Sequence, residues 1–444
     1  MSVHMLNKKA DSLRSTNVLL TNINASKGMY EIIKTNLGPK GSYKMLVNGN
    51  VLLNEMMIQH PTASMLSRIC SSIDEMLGDG SSSNLIVATS LIYLSEKYIL
   101  YEGIHPRIIT QGFDTAKSIL FDLLESMKIQ VNIENNFDYE LLFNVCKTCI
   151  RTKLPYTLAD KLAKELVESI RIIYDPTKQL DLHMVEIMDI KRHMSIDTKL
   201  VSGMVLDHGC RHPNMPSKLK NCLILVLNVS LEYEKSEVFS SFVYSNAEDR
   251  NKLVQSERKF TDDKVKKIIE LKKLIVEKKL KETGKEYSFA IFNQKVYEIN
   301  INDEKYTFIE EVINPKSCTM FIQAPNDYTI KQIKDAIRDG LRSIKNTIED
   351  KCVISGAGSF EIAAYCKLKE EEKKIKGKQK FSFDIYANSM LNIPKILLEN
   401  SGLDTHQSLF KVIDQYNANP VEPLGVDLDT GEPIVAHVKA KKKK

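Results

Sequence analysis

Three short glycine-bearing segments hold most of the residues able to do chemistry: NLGPKGS (36–42), GDGSSSN (78–84) and SGAGS (355–359). Glycines in such places let main-chain N–H groups converge on an anion, and a helix N-terminus adds its dipole. GDGSS is the richest. Asp79 offers a carboxylate to Mg2+, while Gly80, Ser81 and Ser82 offer backbone donors and hydroxyls to phosphate oxygens. None of the three is a P-loop, because GxxxxGK[ST] occurs nowhere, and neither does GxGxxG. Taken singly, each reads better as an ordinary turn or helix cap. Spacing alone takes the chain no further than a phosphate-binding candidate.

The remaining candidates are weaker. Cys146 and Cys149 form CKTC, but no second Cys or His pair stands at zinc spacing, so two buried helix thiols are expected. His208, Cys210 and His212 in HGCRH have metal-ligand chemistry in isolation. Gly103, His105 and Pro106 mark a turn between helices.

These segments sit between elements of two kinds. Residues 1–130 read as helices punctuated by glycine, and Leu85 to Tyr101 is apolar on most faces, as in a helix buried in a large core. Residues 138–173 are again helical, with Leu141, Leu142 and Val145, then Leu158, Leu162, Leu166 and Ile170 at helical spacing. After about residue 198 the pattern changes. CLILVLNVSLEY (222–233), SFAIFNQ (288–294) and CTMFIQAP (318–325) read as strands. Helical periodicity returns at Ile330 to Ile348 and runs to about Asp414. Strands interleaved with helices predict an α/β module inserted between two helical ends that fold together. No internal repeat is present.

Composition narrows the function. The 444 residues suffice for about three domains. The 43% hydrophobic and 27% charged content is that of a globular protein with sizeable cores. No uncharged apolar run reaches the ~18 residues that cross a bilayer, and the N-terminus lacks the apolar core of a signal peptide. Lys plus Arg is 62 against 57 acids, a net +5, and the terminal KAKKKK carries five of those positive charges. The rest is neutral and makes no long-range field for nucleic acid or anionic membrane. Eight cysteines without a tight framework fit a reducing compartment, and the cytosol is expected. The segment 257–285 holds ten lysines and one arginine against six acids, yet Val265, Ile268, Ile269, Ile275, Val276 and Leu280 form a stripe at 3.6 spacing. It predicts a long amphipathic helix with a solvated face. KLKEEEKKIKGKQK (367–380) predicts an exposed helix end and loop.

The order of the motifs changes what they imply. LGPKG, then GDGSS, then an acidic helix ending in GAG, then GVDLDTGE (425–432) resembles the group II chaperonins in order and spacing. Longer segments sharpen the match: INASKGMYEIIKTNLGPKGSYKMLV, IQHPTAS, EGIHPRIITQGF, MVLDHGCRHPNM, SLEYEKSEV, ERKFTDDKVKKIIELK, IKDAIRDGLRSIKN and LGVDLDTGEPIVA. They run from about residue 6 to 436.

The resemblance implies a multidomain, mainly α protein with an α/β apical domain, in the group II chaperonin architecture. Its parts would be equatorial (1–135), intermediate (136–197), apical with a helical protrusion (198–323), intermediate again (324–354) and equatorial again (355–444). It implies an ATP-dependent, Mg2+-dependent ATPase that folds proteins as one subunit of a hetero-oligomeric double ring. Its partners would be other chaperonin subunits and unfolded or nascent cytosolic proteins such as actin and tubulin, with no nucleic acid and no membrane. By the same resemblance Leu37, Gly38 and Pro39 contact the nucleotide phosphates and Asp79 holds Mg2+. Gly80, Ser81, Ser82 and Ser83 line the phosphates, with serine where the family usually has threonine at the first two hydroxyls. Gly356, Gly358, Asp427 and Leu428 border the nucleoside, and HGCRH becomes a structural loop entering the apical domain.

Asp339 matches the aspartate that positions the attacking water. A carboxylate on a helix can orient water in line with the γ-phosphorus without covalent chemistry. Without the resemblance it reads as a surface acid near Arg338 and Arg342.

Three departures from the family pattern bear on activity. Between Val47 and Asn48 the family carries a β-hairpin ending in an aspartate, so Asn48 stands where a second carboxylate is expected. Asparagine can hydrogen-bond water but carries no charge. At Lys295–Val296 a long apical stretch with a substrate-binding helix is absent, and HVKAKKKK ends before the ribose-contacting acid and the closing helix and strand. Two readings therefore stand beside the active subunit: a non-catalytic or degenerate ring member (or incomplete gene product) with an assembly role, and a basic nucleic-acid or membrane-surface protein resting on 257–285 and the lysine tail.

Overall fold

The computed structural model describes residues 15–41, 52–53, 56–131, 138–191, 197–210, 212–227, 246–276, 287–301, 304–312, 315–420 and 422–436. Asn48, the Val47–Asn48 junction, the lysine tail and all of SLEYEKSEV lie outside them. The chain divides into two compact units, one of Met1–Ser202 with Lys316–Lys444 and one of Gly203–Pro315.

The first unit opens with α1 (Ser15–Lys34), α2 (Pro61–Leu77) and α3 (Ser81–Glu96), the last running into a π turn at Lys97–Tyr101. Next come α4 (Pro106–Met127), the short strand β1 (Ile129–Gln130), α5 (Tyr139–Arg151) and α6 (Tyr156–Ile173). Strands β2 (Val185–Lys191) and β3 (Lys199–Val201) lead to the second unit.

The helix starts follow from local chemistry. At two of the three His-Pro pairs a helix begins, and there the imidazole Nδ1 accepts a backbone N–H two residues on, His60 from Thr62 at 3.3 Å and His105 from Arg107 at 3.2 Å. Proline at the first helical position loses nothing, since its missing N–H would have no helical partner. Gly103 adopts φ +68° just before the second of these caps, so the turn expected there forms. Burial of α3 is less complete than its composition suggests. Leu85 and Ile86 are enclosed, while Tyr101 in the π turn is 81% exposed.

The second unit holds β4 (Met204–Leu206), β5 (Lys218–Leu227), α7 (Ala247–Val276), β6 (Tyr287–Ile301) and β7 (Glu304–Glu310). Its sheet has the order β4-β7-β6-β5, antiparallel throughout. α7 starts ten residues ahead of the predicted amphipathic segment, and 277–286 lie outside the described residues. β6 passes unbroken through Lys295 and Val296, where the family's apical stretch is absent. Glu298 on β6 accepts the Cys210 N–H at 2.7 Å and pairs with Lys305 at 3.0 Å, which ties the HGCRH loop to the sheet. Among the described residues no group of three His, Cys, Asp or Glu side chains is placed to hold a metal.

The chain re-enters the first unit through β8 (Cys318–Ala324), α8 (Asp327–Asp350), β9 (Cys352–Val353), α9 (Ser359–Lys374), α10 (Lys380–Asn400), α11 (Thr405–Ala418), β10 (Leu424–Val426) and β11 (Pro433–Val435). β8 is buried along its whole length, as its apolar run requires, and lies between parallel β2 and antiparallel β3. Among the longer strands β2 and β7 escaped the sequence reading, both interrupted by charged residues, and so did the short β1, β3, β4, β9, β10 and β11.

Two of the cores in this unit position the site. One joins Leu142, Cys146 and Ile150 of α5, Leu158, Leu162, Leu166 and Ile170 of α6, and Ile333, Ile337 and Ile344 of α8. The other joins Met29 and Ile33 of α1 and Leu85 and Ile86 of α3 to Ile393 and Ile396 of α10. The chain's two ends thus fold together, as the inserted-module reading requires. Cys146 and Cys149 are buried in the first unit, and burial pushes both thiols up, Cys149 to about 12.

Candidate functional site

Packing α1 and α3 against α10 brings the three glycine-bearing segments, far apart in sequence, onto one cavity of about 570 Å3. Asn36, Leu37 and Gly38 come from the turn after α1; Asp79, Gly80, Ser82 and Ser83 from the start of α3; and Ser355, Gly356, Ala357 and Gly358 from the turn before α9. Thr152 and Lys153, after α5, complete the polar wall.

The α2–α3 junction is built for close approach. Gly78 ends α2 with φ +74° and Gly80 begins α3 with φ +77°, a left-handed conformation that a β-carbon disfavours. A β-carbon on Gly78 would lie 2.8 Å from Arg342 Cβ and 3.0 Å from the Asp339 carbonyl oxygen. Glycine therefore lets this turn seat directly on α8. Asp79, between them, accepts the Gly80 N–H on Oδ1 at 2.8 Å and makes no salt bridge among the described residues.

Not every expected residue reaches the cavity. Pro39 is exposed beside it, and Ser81 is buried with its carbonyl facing the Cys70 thiol at 3.5 Å. Asp427 and Leu428 stand one contact away. Lys40 Nζ donates to the Leu428 carbonyl at 2.6 Å and pairs with Asp429 at 3.1 Å, while Val426 N–H donates to the Ala357 carbonyl at 2.9 Å. The GVDLDTGE turn thus braces two of the lining loops from behind.

Asp339 is no surface acid. It is 3% exposed on the inner face of α8, and its carboxylate pairs with the Lys153 ammonium, itself buried. The same ammonium reaches the Gly78 carbonyl at 3.3 Å, and Arg342 stands 3.9 Å from the other Asp339 oxygen. Asp339 meets the cavity through Lys153 instead of lining it. Burial pushes its carboxyl up to about 6 against the pull of Lys153. Burial alone would lower the Lys153 pKa, but the Asp339 and Asp79 carboxylates raise it, so the ammonium stays charged.

Lys153 escaped the sequence reading although a signal exists. Leu142, Cys146, Cys149 and Lys153 fall on one helical stripe, and the first three are buried. A lysine in phase with a buried stripe calls for a buried counter-charge.

Residues 29–290 and 291–442 match the model of the TCP-1/cpn60 chaperonin family. The chain belongs to that family. This chaperonin is 38% identical over 499 aligned positions to T-complex protein 1 subunit zeta-2 of Homo sapiens, covering 98% of the chain and 92% of the relative. The mouse protein of the same name matches at the same identity and coverage. The alignments are longer than the 444 residues here, so these relatives carry residues for which this chaperonin has none. The architecture is that of a group II chaperonin, mainly helical with sheet-containing parts. No described helix is long and apolar enough to cross a membrane.

The donor set fits a magnesium nucleotide. A cavity of this size suits a small organic ligand. Asp79 and the Ser82 and Ser83 hydroxyls are hard oxygen donors of the kind Mg2+ takes, usually with one carboxylate plus phosphate oxygens. Gly356 leaves space that a β-carbon would fill, with nothing within 4 Å.

Proposed function

We propose that this chaperonin binds ATP with Mg2+ in the 570 Å3 cavity and hydrolyses it as one subunit of a hetero-oligomeric double ring that folds cytosolic proteins. The observation that carries the reading is the convergence of the 36–38, 79–83 and 355–358 loops on one cavity with a buried Lys153–Asp339 pair behind it. We assign the ranges 1–135 and 355–444 to the equatorial domain, 136–197 and 324–354 to the intermediate domain and 198–323 to the apical domain.

In this reading Asp79 would hold the metal, which when bound would supply positive charge to offset that of the phosphates. Gly38, Gly80, Ser82 and Ser83 present N–H and hydroxyl donors to phosphate oxygens, and Gly356 and Gly358 allow close approach of the nucleoside. Ser81 holds the start of α3, while Pro39, Asp427 and Leu428 brace the lining loops. Lys153 is shared between Asp339 and an arriving phosphate oxygen. Drawing the ammonium toward phosphate frees the Asp339 carboxylate to orient water and hold its proton.

The test is thermal melting of the full chain with and without Mg2+-ATP, since a ligand that binds only the folded state stabilises it. Wild type should melt higher with Mg2+-ATP, and Asp79→Ala should lose most of that gain. An undiminished gain in the variant would remove Asp79 from the metal site.

A further inference from the structure

Ile354, between β9 and α9, presents an apolar side chain that is 38% exposed at the cavity wall. The turn that carries it is held in place at some strain. Ala357 sits at φ +60°, a left-handed conformation unusual for a residue with a β-carbon. β10 fixes it: the Val426 N–H binds the Ala357 carbonyl at 2.9 Å, and a β-carbon on Gly425 would lie 2.7 Å from Ala357 Cβ. Strain of this sort persists where the surroundings over-determine it, and it gathers at ligand sites.

Leu37, Phe360, Ile393 and Leu397 share the wall with Ile354; Asp79, Glu361 and Lys153 supply its charge, with Lys153 as the cation, and Ser82, Ser83, Thr152 and Ser355 its hydroxyls. A ligand matching both sets has an anionic part and a flat apolar part. We propose that Ile354 is the side chain against which the base of the bound nucleotide lies. The proposal rests on the nucleotide reading above. It assigns to Ile354 a contact with the base and none with the phosphates.

The test is titration calorimetry of the full chain with Mg2+-ADP and with base-free magnesium tripolyphosphate. Removing the covered part of an isoleucine should weaken Mg2+-ADP about 5- to 20-fold in Ile354→Ser, leaving tripolyphosphate within about twofold. Ile354→Val, which keeps most of the apolar surface, should bind Mg2+-ADP within about threefold of wild type, and its melting temperature controls for folding. If wild type binds Mg2+-ADP and Ile354→Ser binds it equally well, the base contact is refuted while the nucleotide site stands. Equal losses for both ligands would refute it too, showing a collapsed wall. If wild type binds neither ligand, the nucleotide reading and this contact fall together.

Discussion

Replacing Asp339 with alanine separates binding from turnover, and the structure sets both magnitudes. The carboxylate is 3% exposed and its partner Lys153 is 8% exposed, so the substitution strands a buried ammonium. Breaking a buried pair by removing one partner costs about 3–5 kcal/mol of stability. The low end is expected, because Lys153 already reaches the Gly78 carbonyl and borders the cavity. Ground-state ATP gains a free ammonium and loses no direct contact, so affinity should stay within a few fold. Hydrolysis loses the group that orients water, about 2–4 kcal/mol in barrier, or roughly 30- to 1,000-fold. The assay is single-turnover ATP hydrolysis by reconstituted rings in which every other subunit carries an inactivated site, with binding measured in parallel. Asp339→Ala/Lys153→Met should recover stability by removing the stranded charge, but not turnover. The pH profile supplies a second readout. With the Asp339 carboxyl at about 6, hydrolysis should fall as pH drops through 6 and the carboxylate is protonated, and the variant should lack that limb. Equal single-turnover rates for wild type and Asp339→Ala would refute the catalytic role. A large loss of ATP affinity would instead make Asp339 a binding residue.

Three further substitutions test the scaffold. Burial pushes the Glu165 carboxyl up to about 7, although Lys161 and the Leu200 N–H pull it down. The folded chain therefore holds a proton that the unfolded chain releases between about pH 4.5 and 7, and stability falls as pH rises through that window. Glu165→Gln should flatten this dependence and be about 1–3 kcal/mol more stable than wild type at pH 8, with little difference at pH 4; urea melts at the two pH values decide it. Gly78→Ala should cost about 2–4 kcal/mol, combining a left-handed β-carbon with overpacking against Arg342 and Asp339. Gly80→Ala, whose nearest neighbour is Asn84 Nδ2 at 3.9 Å, should lose only about 1–2 kcal/mol, and equal losses in a urea melt would contradict the close-approach argument.

The sequence determined what depends on neighbours within a few turns. Helical spacing at Leu158, Leu162, Leu166 and Ile170 marks α6, Gly103, His105 and Pro106 mark the turn before α4, and the order LGPKG, GDGSS, GAG, GVDLDTGE marks the family. Strands β2 and β7 were not legible because charged residues interrupt their apolar pattern, while β8, apolar on both faces, was. Tertiary structure alone decided which residues of each motif face the cavity. Ser82 and Ser83 do, whereas Ser81 between the same glycine and serine is turned into the core by the first turn of α3. It also decided that Asp339 is buried against Lys153 and that Ile354 stands uncovered at the wall. Periodicity specifies which face of a helix is apolar, but not which other element covers that face. The covering elements come from residues up to about 360 positions away, as α10 does for α1, and only their packing fixes where a charge or an aliphatic side chain ends.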